Sequence, residues 1–168
     1  IHQKVNFLKN VIFYIIYQMQ KQLLEKKNNM LICEGYMDVL SLYEKNIESV
    51  VAPLGTALTE NQLFLAWKYC NKPTLMFDGD NSGLRAAYKT ALMSLSHISA
   101  NRLIQFINLP ENEDPDSYIN NNSIENFITF LKNPISIINF IFSQSSSAYS
   151  LDNADDKIIF DQYIDEIV

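Results

Sequence analysis

The chain has 168 residues, 48% of them apolar, with a net charge of −6 and a sequence pI near 4.8. That is enough for one domain, or one domain with an appendage, built around a sizeable core, and it excludes a disordered chain. The acidic balance argues against a surface that grips a phosphate backbone by charge alone, but leaves room for carboxylates holding cations that then meet phosphates.

Residues 8–24 place Leu8, Val11, Ile12, Ile15, Ile16, Met19, Leu23 and Leu24 at helical spacing on one apolar face. A short apolar run at 30–33 suits a buried strand, and a helix over 36–45 follows Gly35. The second strand is expected at 49–52, ended by Pro53-Leu54-Gly55. Thr59 and Gln62 stand at capping-box spacing and open a helix over 60–70. A third strand at 74–77, a loop at 78–80, a helix over 82–95 and a fourth strand at 103–109 complete the pattern. Strands alternating with helices through short connections predict an α/β fold. It is a Rossmann-like parallel four-stranded sheet with helices on both faces and the first strand beside the third. After Pro115 the strand signals vanish. Helical stretches are expected at 123–132, 134–142 and 152–167, with linkers at 120–122 and 143–147. The expected division is a helical lead-in over 1–29, the α/β domain over 30–119 and the start of a helical subdomain over 120–168.

Cys33 and Cys70 lie far apart and belong to no CxxC pair, so neither a zinc site nor a disulfide framework is expected. Both read as small buried side chains in a reducing, cytoplasmic compartment. No run is apolar over the length that a bilayer span needs, so no membrane partner is expected. The chain opens on Ile1, and we read it as a piece of a longer protein. His2 and His97 have no partners at metal-ligand spacing. Trp67, with Phe64 and Tyr69, reads as helix packing rather than a base-stacking platform.

The chemistry concentrates in three acidic strings: CEGYMD, with Glu34 and Asp38; FDGD, with Asp78 and Asp80; and EDPD, with Asp114 and Asp116. Each alone reads as an ordinary turn. Together they fall at the carboxyl ends of three strands, the edge where parallel α/β sheets bind ligands. Carboxylates gathered there either raise one another's pKa or recruit a cation. An oxygen-only set without His or Cys suits Mg²⁺ or Mn²⁺ rather than zinc, and paired ions of this kind serve phosphoryl transfer. Gly79, between the two aspartates, is expected to let the loop turn tightly. Arg85 and Lys89 follow on one helix, four residues apart, and are candidates to face phosphate.

The strings EGYMDVLSL, LGTALT, FDGDNSGLRAA and LPENEDPDSYI, spread over residues 30–119, resemble the TOPRIM domain. Bacterial primases share that domain with type IA and type II topoisomerases and with some nucleases and recombination proteins. EGYMD and EDPD narrow the resemblance to the DnaG-type bacterial DNA primases. The resemblance implies that Glu34, Asp78 and Asp80 are catalytic and bind Mg²⁺ or Mn²⁺, with Asp38, Asp114 and Asp116 as supporting acids. It implies an activity, the synthesis of RNA primers from ribonucleoside triphosphates on single-stranded DNA, and a replicative helicase as partner through regions outside this chain. Upstream, FLKNVIFY resembles the family's F-H-K-x-x-x-L-Y segment and puts Lys9 near the nucleotide path, although Leu8 stands where the family has histidine. Pro53 replaces the family's usual serine before L-G-T. The family's zinc-binding domain and most of its basic subdomain are not in this stretch, so zinc is not expected here. Three other readings stay open. One is a TOPRIM nuclease, including the small ribonuclease type that matures ribosomal RNA. Another is a non-catalytic metal-binding module. The last, a receiver-like domain, is disfavoured because Leu109-Pro110-Glu111 offers no lysine after the last strand.

Overall fold

The computed structural model describes residues 30–53, 57–146 and 153–167. His2, Lys9, the expected helix over 8–24, the whole 1–29 lead-in and the turn residues 54–56 lie outside them. Five strands form one sheet: β1 (Leu31–Ile32), β2 (Val50–Val51), β3 (Thr74–Phe77), β4 (Gln105–Asn108) and β5 (Ile135–Ser136). Their order is β2-β1-β3-β4-β5. The first four are parallel, with Ile32 opposite Leu75 and Leu75 opposite Phe106, and β1 lies beside β3 as expected.

The sheet departs from the four-stranded expectation at one edge, where β5 runs antiparallel to β4 and pairs Gln105 with Ser136 and Phe106 with Ile135. A two-residue strand directly after Pro134 is too short for alternation to be legible. Its conformation is set by the partner strand, a contact about 30 residues away in sequence. The described helices are α1 (Tyr36–Glu44), α2 (Glu60–Trp67), α3 (Asn81–Leu95), α4 (Pro115–Asn121), α5 (Ile124–Leu131), α6 (Ile137–Ser146) and α7 (Ala154–Ile167). Helix α4, which Asp114 caps and Pro115 opens, takes up 120 and 121 of the expected linker at 120–122 and leaves Asn122 as its extended C-cap. The last residues of α6 likewise occupy 143–146. Helix α2 opens with the expected capping box, since Gln62 N–H donates to Thr59 Oγ1 while Gln62 Oε1 accepts from Thr59 N–H. It ends early: the N–H groups of Lys68 and Tyr69 reach carbonyls three residues back and tighten the final turn.

Alternation along the strands divides the core in two. Met30, Ile32, Val51, Leu75, Phe77 and Phe106 face one side, under α2, α3 and α6. Leu31, Cys33, Val50, Met76 and Ile107 face the other, under α1, α4 and α5. Helix α3 buries Gly83, Ala87, Thr90, Ala91 and Ser94, small residues that let it lie close to the sheet. Its two buried hydroxyls are satisfied within the helix, Thr90 on the Ala86 carbonyl and Ser94 on that of Thr90. Phe140 of α6 stacks on Phe106 with ring centroids 4.1 Å apart, so the chain beyond 120 shares the core of the sheet. Trp67 is buried and its Nε1–H donates to the Leu103 carbonyl at 2.8 Å, which bears out the packing reading. His97 pairs with Glu60 at 2.9 Å and leans on Phe64. Both cysteines are buried and outside any disulfide. Among the described residues no helix is long and apolar enough to cross a membrane.

Candidate metal-binding edge

The chain leaves β1 toward β2 on one side and returns to β3 on the other, which opens a crevice between the carboxyl ends of β1 and β3. Glu34 leaves β1 into this crevice and Asp78 leaves β3. They touch: the Asp78 N–H donates to Glu34 Oε1 at 3.2 Å. The loop after β4 closes over them, for the Gly79 N–H donates to the Glu113 carbonyl at 2.8 Å. The strand order thus brings residues 34, 78 and 113, far apart in sequence, to one place.

Three of the predicted acids hold helix ends as well as facing this edge. Asp38 Oδ2 accepts from the Gly35 N–H at 2.9 Å and ties down the start of α1. Asp80 Oδ1 accepts from the N–H groups of Ser82 and Gly83, at 2.8 and 2.7 Å, and caps α3. Asp114 Oδ1 accepts from the Ser117 N–H at 2.6 Å and caps α4. In each case the carboxylate accepts from backbone N–H groups at a helix start that would otherwise lack a partner, which is why acidic turns are common there. Asp116, in the first turn of α4, accepts from Asn120 Nδ2 at 2.8 Å.

Asp78 is different. Its Oδ1 is buried and meets no hydrogen-bond donor. Burial pushes its pKa up to about 7, and the charges of Glu34, Asp38, Asp114 and Asp80 push the same way. Asp38 is raised to about 6, first by burial and then by Asp114 and Asp116, against the opposing hydrogen bonds from the N–H groups of Gly35 and Asp116. Glu34 is raised by burial and by Asp80, against the bond from Asp78 N–H. Glu34, Asp38, Asp80 and Asp114 therefore all act on Asp78, and Asp116 joins the cluster through Asp38. They do not form a closed ligand shell: among the described residues no three His, Cys, Asp or Glu side chains converge to hold one ion. The donor chemistry still fits Mg²⁺ or Mn²⁺, because such an ion takes one or two carboxylates and completes its sphere with water and phosphate oxygens. The orphaned Asp78 oxygen, beside Glu34, is the place the residues offer.

Gly79 is required for a reason other than the expected tight turn. Its φ lies outside the left-handed region, but a Cβ there would sit 2.0 Å from the Pro110 carbonyl oxygen. The glycine is a point of close approach between two loops. Arg85 and Lys89 are both exposed on α3 and make no ion pair among the described residues. Arg85 stands at the rim of a polar groove that Asp80, Asn81, Asn108, Asn112 and Gln144 also line. Glu113 and Ser117 were missed by the sequence reading. Glu113 belongs to the same EDPD string, but only the contacts with Gly79 and α4 reveal what it does.

Residues 31–119 match the model of the Toprim-like family. The DNA primase of Rickettsia typhi is 36% identical over 132 residues, which cover 79% of this chain and 22% of that protein. The E. coli primase catalytic core superposes with a TM-score of 0.80 at 28% identity, covering 90% of this chain and 48% of that one. A DnaG primase catalytic domain bound to ssDNA superposes with a TM-score of 0.75 at 30% identity, covering 84% and 44%. The chain spans only part of each of these proteins.

Proposed function

This chain belongs to the Toprim-like family and matches the TOPRIM domain of the DnaG-type bacterial primases, and from that membership we propose that it is the metal-binding part of a DNA primase. In this reading it works in the bacterial cytoplasm, within a longer protein that synthesises RNA primers on single-stranded DNA and meets the replicative helicase through other regions. The observation that carries the reading is the Asp78 carboxylate: one oxygen buried without a donor, in the combined field of Glu34, Asp38, Asp80 and Asp114. A buried carboxylate in such surroundings either stays protonated or is neutralised by a cation.

Asp78 and Glu34 are the residues that would hold Mg²⁺ or Mn²⁺, with Asp80 at the rim and Asp38, Asp114 and Asp116 as supporting acids. A bound divalent ion would supply positive charge to the triphosphate of the incoming ribonucleotide and to the primer 3′-hydroxyl. The chain's own groups do the rest. Glu34 fixes the Asp78 backbone through its hydrogen bond. The caps on α1, α3 and α4 fix each acidic loop to the start of its own helix. Arg85 and Lys89 are assigned to the phosphate path of the nucleic acid, as is Lys9 of the lead-in. All three would add salt-dependent affinity without reading bases.

The test is labelled-ribonucleotide incorporation on single-stranded DNA by the full-length protein, wild type against Asp78→Ala and Glu34→Gln, with an RNA-cleavage assay in parallel. Loss of incorporation in both variants with folding intact supports the reading. Incorporation that survives both substitutions rules it out, and cleavage without incorporation moves the same acids to a nuclease.

A further inference from the structure

The loop that carries Asp78 and Asp80 has no regular structure of its own, yet its position sets where these acids stand relative to Asp114. One residue ties the two loops together. Glu113 accepts the Gly79 N–H on its backbone carbonyl at 2.8 Å, and its own N–H donates to the Pro110 carbonyl at 3.1 Å. Asn112 between them takes φ 62°, the left-handed conformation that turns the chain back under Gly79. The Pro110 carbonyl then occupies the space that a side chain at position 79 would need.

The Glu113 side chain points the other way. Its carboxylate accepts from the Ser117 hydroxyl and, at 3.5 Å, from Asn121 Nδ2. Ser117 Oγ also accepts the Asp114 N–H at 2.9 Å, and the Ser117 N–H donates to Asp114 Oδ1. Glu113 is therefore held at both ends: its carboxylate by the first two turns of α4, its backbone by the loop after β3.

We propose that Glu113 is a positioning residue. By bridging α4 to Gly79 it sets the distance between the Asp78/Asp80 loop and Asp114, and so the spacing of the acids along the edge, without itself facing the ion. Its acidity is incidental to this role; what matters is an acceptor for Ser117 and Asn121 that keeps residues 110–113 in place. A glutamine at 113 keeps one oxygen to accept from the Ser117 hydroxyl, giving up the longer contact with Asn121, and an alanine keeps neither. The consequence for metal binding rests on the function proposed above, whereas the tie itself does not.

The experiment is amide hydrogen exchange at Gly79, with Mn²⁺ titration by calorimetry and thermal unfolding, on the wild type, Glu113→Ala and Glu113→Gln. Glu113→Ala should speed Gly79 exchange by about tenfold or more and weaken Mn²⁺ binding by about tenfold or more, the usual effect of losing a group that orients a ligand. Glu113→Gln should restore both to near the wild-type values. Ser117→Ala, which acts on the same tie from the α4 side, should move Gly79 exchange in the same direction and keeps the test open if Glu113→Ala does not fold. A lowered unfolding midpoint with unchanged Gly79 exchange would make Glu113 a helix-end residue only and overturn the proposal. Glu113→Gln behaving like Glu113→Ala would overturn it too, since charge rather than the hydrogen-bonded tie would then be at work. If the wild type takes up no Mn²⁺, the metal reading fails, and Gly79 exchange still decides whether Glu113 holds the loop.

Discussion

Burial and four neighbouring carboxylates act on Asp78 in the same direction, and both oppose its charge. With a folded pKa of about 7 against an ordinary value of 3.8, the folded chain keeps a proton there over a range in which the unfolded chain has lost it. Stability from this group is therefore present at low pH, falls as pH rises from about 4 to 7, and stays reduced above that. Asp38, raised to about 6, adds in the same sense over a narrower window. Asp78→Asn should relieve this. We expect the metal-free variant to exceed the wild type in stability by on the order of 1–2 kcal/mol at pH 8, after discounting for the group's partial exposure. The two should be nearly equal at pH 4, where Asp78 is protonated in the folded wild type. Urea unfolding at the two pH values measures the difference. A variant more stable yet unable to bind Mn²⁺ is what a site that trades stability for function looks like.

At the scale of the element, the acids that begin helices do two jobs that substitution can separate. Asp80 caps α3 through Oδ1 on two N–H groups. Asparagine caps about as well as aspartate, whereas alanine forfeits about 1 kcal/mol. Asp80→Asn should therefore leave thermal stability close to wild type while Mn²⁺ affinity falls, and Asp80→Ala should lose both. Equal Mn²⁺ affinity in Asp80→Asn and wild type would reduce Asp80 to a cap, the reading that DGD supports when taken alone. The same reasoning explains why α4 begins where it does: Asp114, Pro115 and Ser117 supply a cap, a preset φ and a reciprocal bond within four residues.

At the scale of the molecule, the family match ends at residue 119, but the two cores do not. Phe127 of α5 is fully buried on the α1 side. Phe140 and Ile141 of α6 are buried on the α3 side. Removing residues 120–168 would expose Phe106 and the outer edge of β4 together. Large apolar side chains of this kind contribute about 3–5 kcal/mol each when truncated in a core, a large part of the stability of a domain this size. A chain ending at Ile119 should fail to give the dispersed amide spectrum of a folded protein. Phe140→Ala in the intact chain should cost about 3–5 kcal/mol in urea unfolding. A folded, cooperative truncation would mean that the β5–α6 layer is an accessory rather than part of the core.

Local chemistry was enough to mark out the first four strands, the helices between them, the capping box at Thr59 and the acids of EGYMD, DGD and EDPD. Period-2 and period-3.6 patterns, caps and turn residues act over a few positions and can be read from them. The parallel, doubly covered sheet follows from alternation and short connections, and with it the edge on which those acids would fall. What depends on non-local contact was not legible. Strand β5 exists because β4 is there to pair with it. The need for glycine at position 79 comes from the Pro110 carbonyl, 31 residues on in the sequence. Whether these carboxylates make a closed shell or only act on one another through space is decided by how loops from three strands pack, and here the packing leaves one Asp78 oxygen buried without a donor. Glu113 shows the same division within a single string: its neighbour Asp114 is recognisable as a helix cap by position alone, while its own role appears only where the loop after β4 meets the loop after β3.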